Sequence, residues 1–334
     1  MRIAVVSTIN LPTPPAGYGG IERLVHWYVE ELIRQGHEVT LFARTGSHCS
    51  GRTIEVADSD AQARSTGGKL RLSEEALYRC MRDHFAVERP DVVHDWSLQN
   101  LFVTRHPDML PFIVSTCIPQ PDDYAQRNVV AASAAHAATL KGGKVPFVHY
   151  GIDLDHLPFS PAGGRRLVHV AKIARYKGQH LAMLAAALAG KPIDVVGNVE
   201  GRRYAALIVR PLAGLLPNVR LLGETEQVDA VLRSALALVQ TPQWFETFPL
   251  VSLQSMAAGT PVVALAVGGL PEQIEQGVSG FVAKGVLELA SCLRRVGEID
   301  RRACRALVEE RFHVRRMVQD YVRLYQRVLD GESW

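Results

Sequence analysis

The chain has 334 residues, enough for two domains of about 150 residues each rather than one average core. Its composition, 47% hydrophobic and 21% charged with a formal net charge of +3, is that of an ordinary globular protein, and no concentrated basic stripe marks a nucleic-acid binder. Five cysteines, odd in number and without a C-x-x-C pair, argue against a disulfide framework or structural zinc and for reduced thiols in the cytoplasm.

Residues 3–7 (IAVVS) are apolar and β-branched, which predicts a buried first strand rather than a signal peptide. A Pro/Gly-rich loop over 11–20 leads into a helix expected over 21–35, with Gly36 placed to end it. Residues 38–43 (EVTLFA) form the next strand. The polar, glycine-containing stretch 59–69 reads as a mobile surface loop. A helix over 73–88 follows, then strands at DVVHD (91–95), PFIVSTC and NVVAASA. No apolar run reaches about 18 residues, so no transmembrane helix is expected.

At VPFVHYGID (145–153) the pattern restarts. Strands RRLVHVAKI, PIDVVGN, NVRLLGE, LALVQTP and PVVALA alternate with helices GQHLAMLAAALA, YAALIVRPLAG, QVDAVLRSA and PLVSLQSMAAG. Such alternation builds parallel sheets with helices on both faces, so the expectation is two doubly wound α/β domains, 1–148 and 149–313. Ligands of such sheets bind beyond the carboxyl ends of the strands, which points to the cleft between domains. The arginine-rich LRRVGEIDRRACRALVEERFHVRRM is interrupted by acids at helical spacing and reads as a solvated helix face; peripheral contact with an anionic membrane is the lesser alternative.

Three constellations carry chemistry. In PPAGYGGIERL (14–24), Gly19 and Gly20 enter a helix, where backbone N–H groups can approach an anion. The loop is too long for G-x-G-x-x-G, and the second strand ends in LFART without an acid for a ribose, so a nicotinamide dinucleotide does not fit. In HVAKIARYKGQHL, Lys172 and Lys177 lie at a strand end and at the entry to the next helix, a spacing that could clamp a diphosphate or simply place two surface lysines. In FETFPLVSLQS, Glu246 follows a strand, Pro249 suits a first helical turn, and the amides near Leu250 and Val251 are then free for phosphate. Gln254 stands a turn further on. A capping acid and a surface glutamine are the plainer alternative for Glu246 and Gln254. The paired acids Asp58/Asp60 and Asp153/Asp155 read as turn residues, and no metal site is expected.

Taken together, these segments resemble the retaining, nucleotide-sugar-dependent glycosyltransferases of family 4. The resemblance runs in order through GGIE, DVVHD, VVAASAAHAATL, VPFVHYGIDLDHLPF, AKIARYKG, NVRLLGE and FETFPLVSLQSMAAGTPVVALAVGGLPEQI, and so covers nearly the whole chain. It implies the GT-B fold: two Rossmann-like domains facing across a cleft, with the last helix (about 314–334) crossing back to the first domain. It also implies a metal-independent transferase without a cofactor, whose donor is a nucleoside-diphosphate sugar and whose acceptor is a hydroxyl compound, whether a small molecule, a natural product or a lipid-linked glycan. By that likeness Gly19 and Gly20 approach the donor phosphates, Lys172 and Lys177 neutralise them, Glu246 faces the donor sugar, and His94 is a candidate beside it, although His94 reads equally as a strand residue satisfied in the core. Backbone groups of Thr247, Phe248, Leu250 and Val251 hold sugar and phosphate, Gln254 meets the ribose, and Glu224 flanks the base. The chain departs from the family pattern at Gln254 (a glutamate in relatives), Lys172 (usually arginine), Trp96 (often histidine), Tyr150 (usually asparagine) and Pro249 (a glycine). Those departures leave room for a sugar-nucleotide-binding protein without turnover, or for a nucleotide-sugar epimerase of the same fold.

Overall fold

Short runs of β-branched and apolar residues, buried on both faces, set two parallel sheets in this chain. The computed structural model describes residues 1–56, 62–64, 70–120 and 124–334, with 62–64 and 70–72 described by backbone alone. Contacts divide it into two units, Met1–Gly151 with Val314–Trp334, and Ile152–His313. The boundary expected at 148/149 thus falls after Gly151.

The first unit holds strands β1 (Arg2–Val6), β2 (Glu38–Arg44), β3 (Arg52–Val56), β4 (Gln62–Arg64), β5 (Leu70–Leu72), β6 (Val92–Asp95), β7 (Phe112–Ser115) and β8 (Val129–Val130). Its parallel sheet runs β3-β2-β1-β6-β7-β8, while β4 and β5 pair antiparallel apart from it. β3 was not foreseen, because RTIEV carries two charges and only its last residue is buried. Three residues of the expected loop 59–69 form β4. The rest of that loop, the pair Asp58/Asp60, and residues 121–123 of the loop 119–127 lie outside the described residues. Helix α1 (Gly20–Arg34) buries Leu24, Val25, Tyr28, Val29 and Leu32, the three-and-four spacing of one helical face. The opposite face of the sheet is packed by helix Glu75–Val87 through Leu77, Met81 and Phe85.

The C-terminal helix Val314–Leu329 belongs to this unit and packs on α1 and β7. Its stripe of Val314, Met317, Val318, Tyr321, Tyr325 and Val328 is buried. A polar chain crosses that interface: His94 Nδ1 lies 2.7 Å from Tyr325 Oη, His94 Nε2 lies 2.8 Å from Ser115 Oγ, and Ser115 Oγ lies 2.7 Å from Tyr321 Oη.

Beyond the end of β6, Glu74 accepts hydrogen bonds from the amides of Leu98 and Gln99, each at 2.8 Å. Burial, with the nearby Asp95 carboxylate adding to it, raises the Glu74 pKa from 4.5 to about 7. The folded chain therefore keeps this proton at pH values where the unfolded chain has lost it. Its contribution to stability is intact below about pH 4.5 and is lost as pH rises through about 7. Glu74→Gln is expected to flatten the fall of the midpoint temperature between about pH 4.5 and 7, read from thermal unfolding at each pH; an unchanged slope would remove Glu74 as its source.

The second unit holds β9 (Leu167–Val170), β10 (Ile193–Val196), β11 (Val219–Gly223), β12 (Ala237–Gln240), β13 (Val262–Leu265) and β14 (Gly280–Ala283), all parallel, in the order β11-β10-β9-β12-β13-β14. Counted within each parallel sheet, both have the order 3-2-1-4-5-6, the doubly wound arrangement, with its switch point between the first and fourth strands. The arginine-rich segment near the C-terminus keeps the expected solvated face at Arg294, Arg295, Arg302, Arg315 and Arg316 and departs from it at Arg301. It forms helices Val286–Arg295 and Arg301–Arg311, and Arg301 is buried. The Arg301 guanidinium donates to the carbonyls of Ser160, Ala235, Arg233 and Ala258 and to Thr260 Oγ1, at 2.7 to 3.5 Å.

Candidate active site

The switch point of the second unit is where β9 and β12 end side by side and their chains diverge, which opens a crevice between the loops that follow. A cleft lies there, lined by His169, Lys177, Gln240, Thr241, Glu246 and Val251 among others. Residues from the ends of β9 and β12, the loop before helix Gln179–Leu188, and the loop before helix Leu250–Ala257 therefore meet in one place.

Lys177 and Glu246, 69 positions apart, form an ion pair through Lys177 Nζ and Glu246 Oε1; their side chains are 27% and 16% exposed. Two glycines hold the loops that carry them. Gly178, at φ +71°, follows Lys177 so closely against β12 that a Cβ would stand 1.9 Å from the Thr241 carbonyl oxygen. Thr241 Oγ1 donates to the Gly178 carbonyl at 2.8 Å and fixes that approach. Gly268, at φ +58°, backs Glu246: a Cβ there would lie 2.0 Å from the Glu246 carbonyl oxygen, which also accepts the Gly269 amide at 2.8 Å. Gly268→Ala is expected to cost about 1–2 kcal/mol for its left-handed backbone, before the collision displaces Glu246. Thermal unfolding checks this, and a midpoint equal to that of the wild type would show that the turn beneath Glu246 takes the methyl group without strain.

His169 lines the same cleft. Its Nδ1 donates to the Val239 carbonyl at 2.8 Å, and its Nε2 has no hydrogen-bond partner among the described residues. Burial pushes its pKa down to about 4, and the Lys177 charge adds to the depression. The ring is therefore neutral at pH 7, with Nε2 as an acceptor. Helix Leu250–Ala257 starts at the cleft. Pro249 is its N-cap residue, one position before the first turn that the sequence suggested, with φ −68° and ψ 120°. Its carbonyl accepts from the buried Gln273 side chain at 3.1 Å. The amides of Leu250 and Val251 open the first turn, where helix geometry supplies no internal acceptor.

The other sequence-predicted residues distribute unevenly. Thr247 and Phe248 are buried beside Glu246, with Phe248 against Phe312 at 5.8 Å between ring centroids. Gln254 is half-buried on the same helix, and Glu224 is exposed just past β11. Lys172 is not among the residues lining the cleft: its ammonium lies 3.1 Å from Glu200, whose other oxygen accepts from Tyr176 Oη at 3.0 Å. Gly19 and Gly20, at the start of α1, and His94 belong to the first unit. His94 is a correction. With the side chain fully buried and both ring nitrogens taken by Tyr325 and Ser115, it ties the C-terminal helix to β6 and has no nitrogen left for a substrate. Burial holds its pKa well below the usual histidine range. Trp96 and Tyr150, two of the departures noted above, are buried in the first unit's interior, with ring centroids 5.8 Å apart. Asp153 accepts the Asp155 amide at 3.0 Å, the turn expected of that pair. Sequence reasoning missed His169 and Thr241; their only signal was position, at the carboxyl ends of the two strands that flank the switch point.

Two family models match, Glycosyltransferase Family 4 over residues 18–115 and Glycosyl transferases group 1 over residues 158–296. Among curated proteins, the D-inositol 3-phosphate glycosyltransferases of Mycobacterium tuberculosis and Mycobacterium bovis are 33% identical over 188 residues, which is 50% of this chain and 37% of theirs. The chain thus matches well under half the length of these relatives. Among solved structures, AviGT4, a glycosyltransferase involved in Avilamycin A biosynthesis, has a TM-score of 0.82 at 22% identity, covering 100% of this chain and 99% of that one. Sucrose-phosphate synthase from Thermosynechococcus elongatus has a TM-score of 0.78 at 19% identity, covering 99% and 100%. HepE of Anabaena, in complex with UDP and glucose, has a TM-score of 0.69 at 19% identity, covering 98% and 99%. Matched in each unit by one of these family models, the chain resembles glycosyltransferase family 4, and it shares the GT-B fold with such structures from end to end.

Proposed function

We propose that the chain is a retaining glycosyltransferase that moves a sugar from a nucleoside-diphosphate sugar to a hydroxyl acceptor. The observation that carries this reading is the Lys177–Glu246 pair at the switch point of the second unit, beside the first-turn amides of helix Leu250–Ala257. An ammonium and a helix N-terminus suit a diphosphate, and a carboxylate suits sugar hydroxyls. Without ligand the two charges satisfy each other. A donor exchanges that pair for two new ones: its phosphates take Lys177, and its sugar takes Glu246.

The chemistry follows from charge. As the bond from the anomeric carbon to the diphosphate lengthens, negative charge gathers on the leaving oxygen, and Lys177 with the amides of Leu250 and Val251 stabilises it. Retention fits front-face attack, in which the acceptor oxygen enters on the side the diphosphate leaves and a donor phosphate oxygen takes its proton. Lys172 is a second phosphate cation once Glu200 releases it. Backbone groups of Thr247 and Phe248 complete the sugar pocket, Gln254 meets the ribose as a neutral amide, and Glu224 stands on the side of the base. The reading asks for no cofactor beyond the donor. UDP in the HepE structure and the glycosyltransferase names of the curated relatives support the donor class. Five free thiols support a cytoplasmic setting, and no helix among the described residues is long and apolar enough to cross a membrane.

Incubation with a panel of nucleoside-diphosphate sugars and hydroxyl acceptors, read as released nucleoside diphosphate, tests the proposal. Acceptor-dependent release with the anomeric configuration kept is the expected result. Donor binding without release would make the chain a sugar-nucleotide-binding protein, and a new nucleotide sugar formed without acceptor would make it an epimerase.

A further inference from the structure

One face of the second unit has no role in the reading above. The segment 201–223 (GRRYAALIVRPLAGLLPNVRLLG) carries Arg202, Arg203, Arg210 and Arg220 and no acidic residue. It folds as a helical run from Arg202 to Leu215, with a π-helical stretch at Ala205–Val209, followed by β11. Ala205 and Val209 turn inward and leave three consecutive residues, Ala206, Leu207 and Ile208, outside. Leu207 is 72% exposed and Leu215 78%. Leu221 and Leu222 are both exposed although adjacent on one strand, so neither face of β11 is covered there. β11 hydrogen-bonds only to β10 and ends the sheet. Helix Gln179–Leu188 packs alongside and adds Leu188 to the surface. None of the four arginines makes an ion pair among the described residues, and all four are exposed.

We propose that this face seats the protein on an anionic lipid bilayer. Exposed leucines among unpaired arginines fit the acyl–headgroup boundary, where apolar side chains enter and guanidiniums stay with the phosphates. Charge selects this occupant over a second copy of the chain, since a two-fold contact through the same face would set four arginines against four. The absence of exposed aromatic rings in the segment removes the stacking platform a single-stranded nucleic acid needs. Each arginine near an anionic surface adds roughly fivefold to partitioning, and the leucines add a share that salt does not screen.

The test is flotation of the full chain with vesicles of equal parts phosphatidylglycerol and phosphatidylcholine, against phosphatidylcholine alone. Binding to the anionic vesicles should exceed the neutral control by about tenfold or more and weaken strongly at about 0.5 M salt. The double variants Leu207→Asp/Leu215→Asp and Arg203→Glu/Arg210→Glu should each lose about tenfold or more of that binding. All four side chains are exposed, so the thermal midpoint and any acceptor-dependent turnover in solution should stay at wild-type values, which keeps this result separate from the fate of the glycosyltransferase reading. Equal binding to both vesicle types, or variants that bind like wild type, would overturn the proposal. So would a dimer by light scattering that Leu207→Asp/Leu215→Asp dissociates without any vesicle binding, because the face would then belong to a second copy.

Discussion

Lys177→Ala should reduce release of nucleoside diphosphate by about 10²–10³-fold, the effect of removing one preorganised donor from a developing negative charge, or about 3–4 kcal/mol in the barrier. The loss belongs to the chemical step because Lys177 is the cation lining the cleft at the switch point, whereas Lys172 is held by Glu200. The substitution also leaves Glu246, 16% exposed, without its partner, so donor binding should weaken as well: the carboxylate then faces incoming phosphate as an unneutralised like charge. Glu246→Gln separates the two contributions. It keeps the shape and the hydrogen bonding and removes the charge, so Lys177 is freed for phosphate; donor affinity should hold or rise while turnover falls. Steady-state kinetics of both variants, with thermal unfolding as a control on the fold, measure this. Turnover of Lys177→Ala within about tenfold of wild type would take the diphosphate away from this cleft.

Arg301→Met should destabilise the second unit by about 3–5 kcal/mol, a fall in midpoint of roughly 10 °C for a domain of this size. The cause is not the lost charge. Arg301 donates to four carbonyls and a hydroxyl contributed by the loop at Ser160, the segment Arg233–Ala235 and the turn Ala258–Thr260. Methionine fills the volume but takes the donor from the carbonyls of Ser160, Arg233 and Ala235, while the Ala258 carbonyl keeps the Ser160 amide, and each orphan that is buried costs about 1–3 kcal/mol. Arg301→Lys should recover only part of the loss, since three donors on a point charge cannot span a planar five-donor pattern. Denaturant unfolding of the three proteins decides it. A methionine variant within about 1 kcal/mol of wild type would show that water satisfies the cage.

Local pattern carried a large share of this protein. The alternation of β-branched runs with helical periods predicted most strands of both sheets, because a parallel sheet covered on two faces demands continuous apolar segments that few other structures share. For Lys177 and Glu246 sequence position gave only a place in the loops after two strands, with a surface lysine and a capping acid as the plainer alternatives; it is the structure that brings the two side chains together in one cleft. Of the elements that were missed or misjudged, β3 and β8 have weak local signal, whereas β14 was missed although its GFVA residues are largely buried. β3 is short and mostly exposed, and β8 shrinks to two residues because register with β7, not composition, limits its length.

What the sequence by itself determined, then, was the class of fold and its two halves, since both follow from periodicities of two and 3.6 residues. Only the tertiary structure decided which polar side chains are available. His94 reads as a catalytic candidate until Tyr325, 231 positions away, and Ser115 take both its nitrogens. Arg301 reads as one more surface arginine until carbonyls from three distant segments close around it. The availability of a donor or acceptor depends on what lies beside it in space, and no spacing along the chain encodes that.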